Sequence, residues 1–458
     1  MYYKKHSLEY KNGGNILSTK KRTLIATILL VTAFVTLLNQ TVMITALPVI
    51  TKAFHLSLNL AQWLTSGYVL MLGLATPISA NLTDKYTSRQ VLIGVVAVFL
   101  VGTFLGPLTS NFYVLLIARL LQAAAGGVLI TYVQISLIAL YPADKRGTIM
   151  GLISLVVSAG PAIGPSFAGL MLEFFAWQSL FYVIMPIIVL VLLVAIFTLP
   201  NFSKPRNVEI DIKSVASSMI GLGAVLVSIS LFSSNAVLAT FMLVGGILIT
   251  WYFVRRQTKL ATPLLNMAVF KKRSFTKMLI VTVLVFGIMM GTEAILPIFF
   301  EDTRGTSSLV AGLILLPGAI ANALTAPIVG RYYDAHGAKL PIYLGGLIVL
   351  VTSIPLVMMT TTTSLWVTIV AYMLRMVGIS MIMSAAITEG LKDLEPAEIS
   401  HGTALNNALR QIASSGFNTL MVLIATAPAS LVVGTHLAIW LTILCTGLLL
   451  LVGRSYLR

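Results

Sequence analysis

Fourteen apolar runs follow one another along this chain, at residues 24–46, 62–82, 91–108, 112–138, 148–172, 178–199, 213–233, 236–254, 275–300, 308–329, 340–360, 364–389, 402–426 and 433–453. A helix that crosses a hydrocarbon core needs roughly 20 apolar residues. Inside lipid, only helices and closed barrels satisfy every backbone N–H and C=O. The pattern therefore predicts an all-α integral membrane protein with fourteen transmembrane helices. Composition agrees, since 58% of residues are hydrophobic and 10% charged, whereas soluble domains are about half apolar and about a quarter charged. The first run follows Lys20, Lys21 and Arg22, is too long for a signal peptide and lacks a small-residue cleavage site, so it reads as a retained helix.

Charge sets the expected orientation. A net charge of +16 would point to nucleic acid in a soluble protein, but here the basic residues lie in short loops, and no nucleic-acid partner is expected. With the N-terminus inside, 25 of the 30 Lys and Arg fall in cytoplasmic segments and external loops carry only Lys52 and Arg304, while Arg119, Arg375 and Arg410 lie within spans. Basic residues accumulate on the cytoplasmic side. Both termini are therefore expected there, as a polar tail over 1–23 without structure of its own and a short tail over 454–458.

Other chemistries are excluded by what the sequence lacks. Cys445 is the single cysteine, and His6, His55, His336, His401 and His436 are scattered, so neither a disulfide framework nor a metal site is expected. No Gly-x-x-x-x-Gly-Lys-Ser/Thr loop cradles a nucleotide. No cofactor is expected, and work done by such a chain must draw on a gradient.

One loop phrase occurs twice. Ala80-Asn-Leu-Thr-Asp84-Lys85-Tyr-Thr87-Ser-Arg89 lies between the second and third spans, and Gly330-Arg331-Tyr-Tyr-Asp334-Ala-His-Gly337-Ala-Lys339 between the tenth and eleventh. An intramembrane arginine repeats too, Arg119 against Arg375. The offset exceeds six spans by one hairpin. This gives a six-helix bundle over 24–199, a linker and inserted transmembrane hairpin over 200–262, and a second six-helix bundle over 263–453. Two similar bundles face to face are how many transporters place a site at the interface. In the loops, Asp84 or Asp334 at a helix end can accept hydrogen bonds from Arg or Lys and cap a neighbouring helix N-terminus.

These phrases resemble the loop signature of the major facilitator superfamily. The first copy keeps Leu82, Asp84, Lys85 and Arg89 but has Ala80, Thr87 and Ser88 where the family has glycine, glycine and arginine. The second keeps Gly330, Asp334, Gly337 and Lys339. Gly160-Pro161-Ala-Ile-Gly164-Pro165-Ser-Phe-Ala168-Gly169 in span five resembles the antiporter motif of that superfamily. Glycines four apart allow close helix approach and prolines bend a helix, so a hinge is expected there. Leu38-Asn39-Gln40-Thr41-Val42, Pro263-Leu264-Leu265 with Phe270, and Gly402-Thr-Ala-Leu-Asn406-Asn407-Ala-Leu-Arg410-Gln411 are similar to phrases of drug:proton antiporters with fourteen spans.

The resemblance implies a monomeric multidrug exporter of the bacterial cell membrane, similar to quaternary-ammonium and fluoroquinolone pumps. Its partners would be small-molecule drugs, protons and the lipid bilayer. One departure matters. Where that group has a membrane-embedded aspartate in span one, this chain has Asn39, which cannot titrate.

The titratable candidate inside the membrane is Glu293, in Phe286-Gly-Ile-Met289-Met290-Gly-Thr-Glu293 of span nine. A charged group at membrane depth costs about 2.5–3.5 kcal/mol by insertion scales, so such residues face cavities and mark ion or substrate pathways. Glu293 is expected to carry the proton and contact the substrate. Phe286, Met289 and Met290 offer a soft apolar face suited to lipophilic cations, although all three residue types are also ordinary lipid-facing ones. Arg119 is expected to take part in proton coupling and to organise the polar groups of the first bundle, where Asn39 and Gln40 are expected to hydrogen-bond either the substrate or Arg119. Arg410 reads as structural, pairing with Glu389 or snorkelling. A proton-coupled importer of a small metabolite and a non-transporting membrane sensor remain alternatives. An enzyme is disfavoured because no nucleophile with a base and no carboxylate pair appears.

Overall fold

The computed structural model describes all residues except 1–10, 13–14, 17–18, 57, 202–204, 206–210, 232–234, 261, 307, 429 and 458. Sixteen α-helices carry the fold. The first eight are α1 (Thr19–Ala53), α2 (Leu58–Ala61), α3 (Trp63–Ala75), α4 (Ile78–Lys85), α5 (Ser88–Leu108), α6 (Phe112–Leu140), α7 (Arg146–Phe174) and α8 (Ser179–Thr198). Then come α9 (Ile212–Leu231), α10 (Ala236–Gln257), α11 (Arg273–Arg304), α12 (Ser308–His336), α13 (Lys339–Val357), α14 (Leu365–Leu391), α15 (Ile399–Thr426) and α16 (Leu431–Tyr456). In the N-terminal tail, the two-residue strands β1 (Lys11–Asn12) and β2 (Asn15–Ile16) pair antiparallel.

Among the described residues, ten helices are long and apolar enough to cross a membrane. A further pair, α3 and α4, passes that test together but is bent by 48°. The break falls at Thr76-Pro77, where proline cannot donate the helical hydrogen bond. Large apolar side chains, such as Phe197, Phe241, Trp366 and Leu444, stay exposed along the outer faces, where lipid is the solvent.

Helices α1 to α8 pack on one another, as do α11 to α16. The two sets meet chiefly where α7 lies against α12 and where α15 crosses α3, α4 and α6. Helices α9 and α10 form a hairpin, and α9 touches both α3 and α15, so it lies across one seam between the sets. At the hairpin base, Asp211 accepts two bonds from the Arg256 guanidinium, at 2.7 and 3.1 Å, and a third from the Ser214 hydroxyl at 2.6 Å. The Arg256 bond and then Ser214 hold the Asp211 carboxyl well below the usual carboxylate range. Gln257 closes the base by donating to the Ser214 hydroxyl and accepting from the Leu264 and Leu265 amides. That gives the Pro263-Leu264-Leu265 phrase a structural duty.

Candidate functional site: two polar centres and two latches

Each half buries one guanidinium. In the first, Arg119 on α6 has 0% exposure. It donates to the Asn39 side-chain oxygen at 3.1 Å, to Gln122 at 2.9 Å and to the Asn39 carbonyl at 3.2 Å, and its guanidinium carbon lies 4.2 Å from the centre of the Tyr68 ring. Gln122 passes the network on to Thr103 at 2.9 Å. The acceptors of this guanidinium on Asn39 and Gln122 are all neutral. Asn39 is thus occupied in holding Arg119, and Gln40 sits half-buried beside it.

In the second half, Arg375 on α14 is also fully buried. It donates to the hydroxyls of Ser353 at 2.5 Å, Thr442 at 2.8 Å and Thr292 at 3.4 Å. Next to Thr292 on α11 stands Glu293, whose carboxylate accepts from the Tyr372 hydroxyl at 3.2 Å. Tyr372 lies three residues before Arg375, on the same face of α14. Glu293 therefore bonds a neutral phenol while the neighbouring arginine is held by hydroxyls. It sits eleven residues before the end of α11, roughly 16 Å along the axis.

Phe286, Met290 and Glu293 are half-buried at positions i, i+4 and i+7 of α11, so they share one stripe. It has partners on α14 and α15, where Tyr372 meets Glu293 and Arg410 meets Phe286. The Arg410 guanidinium lies 5.0 Å from the centre of the Phe286 ring, and Arg410 donates to Asn407 at 2.8 Å. Asn407 in turn donates to Thr131 and Gln134 on α6, at 3.1 and 3.0 Å. The Phe286 face thus already holds an internal cation. Met289 is buried, with its sulfur 3.7 Å from the Asn322 amide on α12, whereas Met290 stays on the stripe beside Glu293.

Arg410 does not take Glu389 as its partner. Glu389 accepts instead from Tyr333 at 2.7 Å and Tyr456 at 2.9 Å, and pairs with Lys392 at 3.3 Å. The i, i+3 spacing on α15 brings Asn407 to Arg410 more directly than any residue of α14.

Two aspartates join the halves. Asp334, near the end of α12, accepts from the backbone amides of Gly147 and Thr148 at 2.6 and 2.7 Å and from the Thr148 hydroxyl at 2.5 Å. It thereby caps the N-terminus of α7, where orphan amides and the helix dipole favour a carboxylate. Here α7 and α12 touch backbone to backbone: a Cβ on Gly330 would stand 2.1 Å from the Gly147 carbonyl oxygen. Asp84, at the end of α4, makes the equivalent reach to the start of α15, taking the Ser400 hydroxyl at 3.3 Å and His401 Nε2 at 3.2 Å. These bonds and those of Asn407 join the halves toward one face of the molecule.

The rest of each loop differs. Gly337 has φ of +79°, a turn that favours glycine. Thr87, at the matching place in the first loop, instead caps α5 in a reciprocal capping box with Gln90. Arg89 turns away from Asp84, donating to Asn201 through its amide and to the Ile196 carbonyl at the end of α8 through its guanidinium. Lys85 stands 5.7 Å from the centre of the Tyr86 ring. In α7, which runs unbroken through Pro161 and Pro165, Gly160 and Gly164 let the helix lie directly on α1. A Cβ on Gly164 would meet the Thr41 hydroxyl at 2.1 Å, and one on Gly160 would meet Leu37 Cβ at 2.8 Å. The antiporter-like motif thus packs on the Leu38-Asn39-Gln40-Thr41 segment that holds Arg119.

Two helical sets joined by paired aspartate latches, each with a buried arginine, have the architecture of a membrane transporter. The chain belongs to the major facilitator superfamily, whose family model matches residues 29–418. It is a multi-pass protein of the cell membrane and a transporter, not an enzyme. It is 40% identical to the uncharacterized transporter YcnB of Bacillus subtilis (strain 168), over 88% of this chain and 86% of that protein. It is 33% identical to the lincomycin resistance protein LmrB of Listeria innocua, over 84% and 83% respectively. Among solved structures, the proton:xylose symporter XylE matches with a TM-score of 0.68 and 14% identity, over 96% of this chain and 97% of that one, a likeness of fold.

Tyr372, Asn407 and His401 were not legible as site residues. Each acts on a partner far away in sequence, 79 residues for Tyr372 and Glu293 and 273 for Asn407 and Gln134. The one available signal was Asn406-Asn407 and Arg410 in an otherwise apolar run, since amides at membrane depth need partners.

Proposed function

We propose that this transporter is a proton-coupled multidrug antiporter with fourteen spans and both termini in the cytoplasm, exporting lipophilic compounds by rocking of the two bundles. The observation that carries this reading is Glu293, a carboxylate within a membrane helix, bonded to a phenol rather than to the nearby arginine and on one stripe with Phe286, whose neighbour Arg410 is joined to the Asn407 bridge between the bundles. Such a group can hold a proton while water is excluded and yield it when a cationic substrate arrives. The drug-resistance relative supports export. Both latches lie on the face that the charge count makes cytoplasmic, so the conformation described is the one closed to the cytoplasm. Rocking would then break the Asp334 and Asp84 caps and open that face.

The test is transport in proteoliposomes, with Glu293→Gln as the variant. A proton gradient directed inward should drive ethidium outward in the parent, and the variant should lose that drive while inserting normally. Uptake energised by an acid exterior would favour the importer, and fluxes insensitive to Glu293→Gln would remove the carboxylate from the mechanism.

A further inference from the structure

We infer that Arg410 is a second polar anchor of the substrate site, and that the preferred substrates carry an anionic group as well as a cationic one, at opposite ends of a flat apolar body. The inference rests on the antiporter reading and names the substrate class of that site.

Glu293 and Phe286 lie on one stripe of α11, seven residues apart, which is roughly 10 Å along the helix. Arg410 covers Phe286 at 5.0 Å and belongs to the Asn407 bridge that spans the two halves. The stripe thus runs from a carboxylate to a guanidinium, with Met290 half-buried between them. Among the described residues Arg410 forms no ion pair. Of its five donors, one serves Asn407, and Nε is buried with no partner.

Arg375 shares the unpartnered Nε, and what sets Arg410 apart is how few acceptors it has. Arg119 and Arg375 are each wrapped by three or more acceptors, whereas Arg410 keeps most of its donors and stays half-buried at the meeting of the bundles. A positive charge with spare donors in a low-dielectric site repels a simple organic cation and attracts a carboxylate or another anionic acceptor, with which guanidinium forms paired bonds. An amphoteric molecule of matching length satisfies both ends at once. Its ammonium meets Glu293, its anion meets Arg410, and its body lies along Met290. The Phe286 ring then serves to hold Arg410 rather than to receive the drug's cation.

Equilibrium binding to the purified full chain tests this with two tritiated probes of nearly equal size. One is a biphenyl with an aminomethyl group at one end and a carboxylate at the other, and the second is its methyl ester. The parent should bind the zwitterion more tightly than the ester by roughly tenfold to a hundredfold, as expected for a charge-assisted pair. In Arg410→Gln that ratio should fall towards one, and Arg410→Lys, which keeps the charge but loses the planar fork, should fall between. Because the ester contacts the same site, its affinity reports whether each variant is still folded. Equal affinities in the parent, or an equal loss for both probes in Arg410→Gln, would overturn the inference and leave the antiporter reading standing. A parent that binds neither probe and moves no ethidium would overturn both.

Discussion

In the first bundle, the buried arginine sits among an asparagine, a glutamine and a tyrosine ring, with Asn39 at the place where similar antiporters carry an acid. In the second, the matching arginine sits among hydroxyls, and a carboxylate stands one residue from its partner Thr292. Arg119 and Arg375 are both fully buried, and both are satisfied by neutral acceptors, so the guanidinium itself does not distinguish the halves. What distinguishes them is the titratable group. On the proposed reading the first centre is a brace and the second the one that changes its charge, so a symmetric architecture would perform an asymmetric task.

The largest effect should come from breaking what both centres share, the closure of one face. Gly330→Leu would drive a side chain into the Gly147 carbonyl and separate α7 from α12. Transport should fall by more than roughly tenfold, as expected when a backbone contact is replaced by an overpacked one, and a cysteine pair placed across that face should no longer cross-link. Next come the arginines. Arg119→Gln and Arg375→Gln should each lower stability by about 1–3 kcal/mol, the cost of leaving buried polar partners without their donor, and thermal midpoints in detergent should fall equally in the two. A markedly milder Arg375 variant would mean that Glu293 had been strained by its neighbour.

Asn39→Asp sharpens the contrast further. The new carboxylate would lie where Asn39 now accepts from Arg119 at 3.1 Å, and the guanidinium would hold it ionised. Drug-evoked proton release should stay within about twofold of the parent, since an opposite charge at that distance keeps the acid from taking up a proton. The smallest effect is expected at the hairpin, outside both centres. Asp211 is held below its ordinary range, so its bond to Arg256 contributes above the unfolded carboxylate pKa of about 3.9 and is lost only as pH falls through the folded value. Parent and Asp211→Asn should differ slightly and constantly in thermal midpoint from pH 5 to 8, roughly the working range, and converge only in acid.

Much of this was legible because membranes simplify the code. Lengths of apolar runs mark helices, and the single acid inside span nine stands out against its background. The 62–82 run reads as one span, and its division into α3 and α4 at Thr76-Pro77 comes from the structure. The partners were harder to read. Nothing in the sequence links Asp84 to His401 or Glu293 to Tyr372, because such pairs form only when separately folded helices dock. Asp84 reaches Ser400 and His401, among the first residues of a helix whose N-terminus itself attracts a carboxylate, and the sequence names neither of them as its partner. Arg410 illustrates the same limit, since Asn406, Asn407 and Gln411 beside it mark a polar face but do not say which helix that face meets.

The central claim is that the second centre, and not the first, carries the proton. It is tested most directly by counting protons released when ethidium binds the purified protein in weakly buffered solution, for the parent and for Glu293→Gln. The account predicts release from the parent and none from the variant, with ethidium still bound, though more weakly. Equal release from both would contradict it and return the search to the remaining acids.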